Sequence, residues 1–404
     1  MGEWLGSFAR KLRQAGVDYM LVEAGRICGG VTGCTTAKIT AQHGLVYQDL
    51  VRRFGVEKAR QYYQANQGAV DAWRGLCRGI DCDFEEKDSY VYSLKDPQKL
   101  EAELEALAQI GAEADAAQTP SLPFPTAGAV RFPKQAQFHP LKFAAAIAKD
   151  LNIFEHTAVR SFNGSMYRTD KAIIRAGKTI VATHFPIWNK HGAFWLKQYQ
   201  HRSYVLALEN AGRVDGMYLD ESGTGLSLRD QGDVLLLGGG SHRTGHAGGG
   251  WDALERAARL YYPGAVIRQR WATQDCMTLD DMPYIGRYSP RTPDLYVATG
   301  FNKWGMTSSM VASEILCELA QGKSHPDGEL FSPARSMLHP RLAANGANAL
   351  WNLLTPTVPR CPHMGCALKW NRQEHSWDCP CHGSRFEKSG TLLDGPATGD
   401  LRKK

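Results

Sequence analysis

VDYMLVEAGRICGGVTGCTTAKIT, residues 17–40, decides how the chain is read. Its first seven residues form the apolar run of a buried strand, and that strand ends on an acid, Glu23. Upstream, SFARKLRQAG (7–16) places Phe8, Leu12 and Ala15 on one helical stripe closed by Gly16, so a helix feeds the strand. An acid in that place suits a ribose 2′-hydroxyl, although a surface side chain is the commoner reading of a lone acid after a strand. The residues that follow favour the ribose. Arg26, Gly29, Gly30, Gly33, Thr35, Thr36 and Lys38 bring together backbone amides, hydroxyls and cations, the groups that cradle a pyrophosphate or a flavin. A ribose acid lies about 20 residues after the glycine-rich phosphate loop, which puts that loop at or before Met1, with only Gly2 and Gly6 upstream. The phosphate end of the site is therefore expected to be abbreviated.

Outward from this stretch, strands are predicted at NIFEHTAVRSF, KTIVATHF, RSYVLALE, VDGMYLDE, DVLLLGG and DLYVATG. Helices are predicted at 44–76, 140–150, 252–262 and 307–321, and EAELEALAQIGAEADAAQT (101–119) reads as an Ala/Glu-rich helix. Helix and strand alternate at both ends of the first 325 residues while strands dominate the middle, the pattern of an α/β domain with a sheet-rich domain inserted at about 85–135 and 195–265. In MPYIGRYSPRTPDLYVATGFNKWGMTSSMVASEIL a strand leads through a glycine-bracketed loop to a helix starting at Thr307, whose N-terminus suits the electron-rich edge of a reduced flavin. Prolines and turn residues in KSHPDGELFSPARSMLHPR mark residues 326–354 as a linker, with LAANGANALWNLL a short helical stretch before a module at 355–404.

Composition excludes several classes. With 47 Lys and Arg interleaved among 41 Asp and Glu, the net charge of +6 forms no stripe for nucleic acid. No apolar run approaches the ~18 residues of a membrane span, and the first residues lack a signal peptide's apolar core. The chain reads as cytoplasmic, with peripheral membrane contact left open. No repeat indicates a solenoid. Of ten cysteines, Cys77, Cys82, Cys276 and Cys317 read as small buried hydrophobes, while Cys361, Cys366, Cys379 and Cys381 crowd one end.

That end holds CPHMGC (361–366) and CPCHGS (379–384). Zinc is the default occupant of a cysteine and histidine cluster, a redox disulfide is a second reading and an iron–sulfur cluster a third. Cys361 with His363, and Cys379 with His382, give each loop one sulfur and one nitrogen. A 2Fe-2S cluster takes such a set as two thiolates on one iron and two imidazoles on the other.

CPHMGC followed by CPCHGSRF resembles the Rieske proteins of quinol-oxidising complexes. The resemblance implies Cys361 and Cys379 on one iron, His363 and His382 on the other, and a Cys366–Cys381 disulfide bracing the loops, protected between them even in the cytoplasm. It also implies a hydroxyl donated by Ser384 to a cluster sulfur, which raises the potential. Phe386 stands where high-potential members have tyrosine, so a potential in the lower half of roughly −150 to +300 mV is expected; a plain core aromatic is the other reading of Phe386. ANALWNLLTPTVPR leaves room for one strand at most before the first ligand loop, so this module too is expected to be short.

The first 325 residues resemble the glycine oxidase, sarcosine oxidase and D-amino-acid oxidase (DAO) family of FAD enzymes, more closely its bacterial members with a Rieske module fused at the C-terminus. LVEAGRICGGVTGCTTAKITAQHGL, IVATHFPI, DDMPYIG and ATGFNKWGMT carry the resemblance in order. It implies a Rossmann-like FAD domain, an inserted mixed or antiparallel sheet domain that covers the flavin and holds substrate, and a small all-β Rieske module. Glu23 is the implied ribose contact, Thr35, Thr36, Ala37 and Lys38 line the flavin, Val159 lies near the adenine, Ala182 and Thr183 stand beside the cofactor, and Gly300, Gly305, Met306 and Thr307 stand at the isoalloxazine. Arg26 and Gly286 complete the expected cofactor contacts, and His43, Arg243, Lys303 and Trp304 are the candidates for substrate. The implied activity is oxidation of a small amine or amino acid, with electrons passing to the 2Fe-2S cluster and on to an unknown acceptor. Three alternatives are an electron-transfer Rieske protein with a degenerate flavin domain, a Rieske oxygenase, for which no mononuclear iron site is evident, and a zinc-stapled binding module.

Overall fold

Helical spacing puts Phe8, Ala9 and Leu12 on one buried face of helix Glu3–Gln14, and this helix packs on Gly305–Ala320 and Pro140–Ala148. The computed structural model describes residues 3–188, 191–356 and 359–402. The core around these helices includes Trp73, whose Nε1–H donates to the carbonyl of Met306 at 2.8 Å and so fixes the start of Gly305–Ala320. The expected helix over 44–76 is two, Tyr47–Phe54 and Val56–Cys77, because Gly55 adopts a positive φ of 83° between them.

The strand that ends at Glu23 is reduced to Leu21–Val22, paired in parallel with Ile153–Phe154. A separate sheet runs in the order Thr179–Val181, Leu295–Thr299, Tyr284–Arg287, its first pair also parallel. Among the described residues no strand joins these two sheets, yet Leu21, Val22, Thr179, Ile180 and Val181 open onto the same cavity. The expected strand NIFEHTAVRSF breaks at His156, whose φ is 51°, and its halves Ile153–Phe154 and Val159–Asn163 join different sheets.

Over the cavity lies a nine-stranded mixed sheet. Its longest strands, Gln198–Glu209, Val234–Arg243 and Val266–Thr278, are antiparallel neighbours, and Met217–Asp220 runs parallel to Glu85–Ser93. Residues 101–119 are not one helix. Pro97–Ile110 stops at Gly111, left-handed at φ 73°, and Asp115–Ala117 joins the sheet edge.

Residues 326–354, read as a linker, contain helix Pro340–Leu354, started by His339 Nδ1 accepting from the Arg341 N–H at 3.1 Å. It leads into a four-stranded antiparallel meander, Lys369–Asn371, Ser376–Asp378, Arg385–Glu387 and Leu392–Asp394. Phe386 is buried with the four cysteines in the core of this module. No helix among the described residues is long and apolar enough to cross a membrane.

Candidate cofactor sites

The two cysteine loops are built alike. In the first, the Cys361 N–H donates to Cys366 O and the Gly365 N–H to Cys361 O, both at 2.9 Å; in the second, Cys379 N–H donates to Ser384 O and Gly383 N–H to Cys379 O, again at 2.9 Å. Gly365 and Gly383 hold matching φ values of 80° and 81°, which only glycine adopts without strain. Cys366 and Cys381 form a disulfide with Cα atoms 6.8 Å apart, tying one loop to the other.

This construction aims amides at sulfur. The Cys361 thiol is hydrogen-bonded to Cys379, to the backbone N–H groups of His363 and Met364 and to Ser384, and despite burial it is pulled down to about 7. Its partner Cys379 is pushed up by that shared bond and by burial, against N–H groups of His382 and Cys381. The His363 and His382 rings lie 4.9 Å apart, nearly perpendicular. Burial pushes both imidazoles down, to about 4 and about 3, so both are neutral. His382 Nδ1 is buried with no protein partner. Two sulfurs in a nest of N–H donors and two neutral imidazoles fit a Rieske cluster, and the disulfide withdraws the remaining two sulfurs from metal binding. Ser384 Oγ also accepts the Ala397 N–H at 3.0 Å, which fixes the hydroxyl beside Cys361.

The module sits on the larger domain through buried charge. Glu374 accepts from Arg202 Nε at 3.0 Å and Arg385 Nη2 at 2.7 Å, and from the Tyr204 hydroxyl at 2.8 Å. Burial alone would raise its carboxyl, but Arg202 and Arg385 hold it below its ordinary value. Arg385 also bonds Asp378 at 3.1 Å.

Beside the module opens a cavity of about 1760 Å³. Glu23, Thr35, Thr36, Lys38, Val159, Ala182, Thr183, Gly300, Gly305 and Met306 are on its wall, as are His43, Lys303 and Trp304. The other expected residues are not. Arg26 is exposed. Ala37 is buried at φ 51°, Gly286 lies within strand Tyr284–Arg287 against Pro333, and Thr307 bonds the Thr40 carbonyl at 3.1 Å. Arg243, expected at substrate, instead stacks on Tyr199 and donates to Asn345 of the linker helix at 2.9 Å; its charge acts on Cys379 and His382.

His43 has both ring nitrogens engaged, Nδ1 with the Tyr62 hydroxyl at 2.7 Å and Nε2 with Thr40 O and Thr307 Oγ1, and it stacks on Trp304. Burial holds it neutral, near 3. This is a brace between the cavity wall and helix Gly305–Ala320. Lys38 donates to Tyr218 O at 2.8 Å and Ser227 Oγ at 2.7 Å, and burial, with Arg229 nearby, lowers it to about 7. Lys303 is different. It and Asn302 both take positive φ, 73° and 50°, and Asn302 is pinned by the Thr278 N–H at 2.7 Å and the Gly300 carbonyl at 2.8 Å. Such backbone is costly for non-glycine residues and persists where the surroundings impose it. Its result is an ammonium that opens onto the cavity 3.4 Å from Ser241 Oγ, lowered by the protein that encloses it and partly restored by Asp275.

The wall between the cavity and the cysteine loops was invisible to motif reading. Phe185 lines the cavity and stands edge-on to His382 and His363, with centroids 5.9 and 6.4 Å away. Gln200 Nε2 donates to His382 O at 2.8 Å and Gln274 Nε2 to Gly383 O at 2.9 Å. Only the presence of Phe185 inside THFPI hinted at any of them.

Comparison with known proteins matches both regions of the chain. Residues 7–319 match the family model for FAD dependent oxidoreductases (DAO), and residues 354–403 that of the Rieske [2Fe-2S] domain. YhfW of Bacillus subtilis (strain 168), named as a Rieske 2Fe-2S iron-sulfur protein, is 32% identical over 458 residues, covering 98% of this chain and 90% of that protein. That alignment is longer than the chain, so the relative has internal segments absent here. Iron-sulfur subunit 2 of the cytochrome b6-f complex of Trichormus variabilis is 42% identical over 45 residues, 11% of this chain and 25% of that one. The crystal structure of glycine oxidase from Geobacillus kaustophilus superposes with a TM-score of 0.68 at 19% identity, over 82% of this chain and 95% of that chain, which establishes likeness of fold. The cofactors that go with these domains are FAD and a [2Fe-2S] cluster.

Proposed function

This chain belongs to the FAD-dependent oxidoreductase (DAO) family and carries a Rieske [2Fe-2S] domain, and from that premise we propose that it oxidises an amine or amino acid in the central cavity, with electrons leaving by way of the cluster. The shared wall is the observation that carries the proposal: Phe185 borders the cavity and touches both candidate histidine ligands. Bound in these sites, FAD supplies hydride acceptance and the cluster single-electron transfer. Glu23, Thr35, Thr36 and Lys38 would hold the FAD, and Cys361, Cys379, His363 and His382 the cluster.

Lys303 is the residue to hold an acid substrate. Its ammonium opens onto the cavity 3.4 Å from Ser241 Oγ, so an entering carboxylate gains a charge-assisted bond with it. Asp275, on the same wall and bonded to Ser203 Oγ at 3.1 Å, offers a carboxylate to the amine end. A substrate carrying both groups fits this pair, and the structural neighbour named glycine oxidase supports that class. His43, with both nitrogens engaged, serves as a brace rather than a base.

The test is anaerobic. Protein containing both cofactors is titrated with a panel of amines and amino acids while flavin absorbance and the cluster's EPR signal are followed. Flavin bleaching followed by growth of the EPR signal is expected, and Lys303→Met should raise KM for the acid substrate roughly 10- to 100-fold. A flavin unaffected by every compound, or a cluster that stays oxidised beside reduced flavin, would sink the proposal.

A further inference from the structure

One of the two histidines is sealed from solvent by the larger domain. His382 is 2% exposed, whereas His363 is half-buried. The Nε2–H of His382 donates to the Trp195 carbonyl at 3.0 Å, its own carbonyl accepts from Gln200, and Phe185 covers the ring edge. All three partners lie outside the Rieske module, and Phe185 and Gln200 line the cofactor cavity as well. With Nε2 committed as a donor, the tautomer is fixed and Nδ1 is left as the bare lone pair, buried and without a protein partner. The packing that hides His382 therefore also orients it as a ligand.

We infer that His382 is the face the cluster turns toward the flavin cavity, and that Phe185 is the positioning residue that holds it there. The inference rests on the reading that the module binds a [2Fe-2S] cluster and goes further by giving the cluster a direction. The His382 side faces the cavity without the module leaving its place, and a partner in solution has no access to that side while the module stays docked.

Chemical modification of the cluster-loaded full chain tests this. Diethyl pyrocarbonate acylates accessible neutral imidazole, and His363, the half-buried candidate ligand of the first loop, is the internal reference because it carries the same coordination as His382. In the wild type, mass spectrometry should show His382 acylated at least about tenfold more slowly than His363, because reaction at His382 requires local opening. Phe185→Ala should bring the two rates together and shift the cluster's EPR g values and midpoint potential, while Phe185→Leu should keep the protection. If Phe185→Ala does not fold, Gln200→Ala makes the same comparison through the His382 carbonyl. Wild-type His382 reacting within about twofold of His363, or variants that change neither protection nor g values, would overturn the inference while leaving the cluster assignment standing. Protein without iron or an EPR signal would instead overturn the cluster assignment, and the inference with it.

Discussion

The loops 361–366 and 379–384 have the same hydrogen bonds and the same left-handed glycine, yet they live in different surroundings. Pro362 of the first and the adjoining Arg360 are exposed and His363 is half-buried, whereas Pro380, His382 and Gly383 of the second are buried. Local construction therefore makes the loops equivalent as holders of metal, and docking makes them unequal as faces. The ligand set comes from the loops themselves; the direction comes from Phe185, Trp195, Gln200 and Gln274, nearly two hundred to about one hundred residues away in sequence.

Equivalence predicts the largest effect. Cys361→Ser and Cys379→Ser should each abolish the cluster completely, as read by iron, acid-labile sulfide and EPR, because each removes one of two thiolates on the same iron. Retention of a cluster in one variant but not the other would break the symmetry between the loops. Inequality is tested next by Glu374→Ala, which leaves Arg202 and Arg385 buried without their shared carboxylate. Breaking a buried pair costs about 3–5 kcal/mol, so the variant should undock the module and expose the second loop to hydrogen exchange. Acid should act likewise. The folded state holds Glu374 below its ordinary 4.5, so its contribution is present above that pH and is lost as pH falls through the lower folded value. Exchange at 379–384 should rise on acidification in the wild type and be high at every pH in Glu374→Ala.

The paired glycines sharpen the contrast further. Gly365→Ala meets only Leu353 at 4.0 Å and should cost about 1–2 kcal/mol for its left-handed φ. Gly383→Ala pays the same strain and also drives a Cβ to within 2.6 Å of Gln200 Cβ, adding about 1–3 kcal/mol of overpacking. Thermal melts of the two variants should separate by that addition, and equal losses would show that docking leaves no mark on the second loop.

What could be read from the sequence follows the range of each interaction. Four donors at fixed spacing could be read because each loop closes within six residues. The α/β plan could be read too, since helix and strand periods are local. Helix 101–119 failed at a single glycine, Gly111, whose left-handed turn outweighed the alanine and glutamate around it. Arg243 failed for a different reason. It pairs with His201, which pairs on its other side with Asp275, and nothing in that pattern says that the Arg243 side chain turns toward Asn345.

The displaced arginine gives the smallest and most discriminating prediction. Arg243 is half-buried and its charge reaches Cys379 and His382 of the second loop. Arg360 is exposed and donates to the Gly365 carbonyl of the first loop at 2.6 Å. Reduction adds one negative charge to the cluster, so a nearby cation favours the reduced form and raises the potential. Water and salt screen an exposed cation far more than a half-buried one. Arg243→Gln should therefore lower the midpoint potential by on the order of tens of millivolts, Arg243→Lys should retain most of it, and Arg360→Gln should move it less. Redox titration followed by EPR distinguishes the cases. A larger shift at Arg360 than at Arg243 would mean that the cluster's field is set at its outer loop, contrary to the inequality that docking imposes.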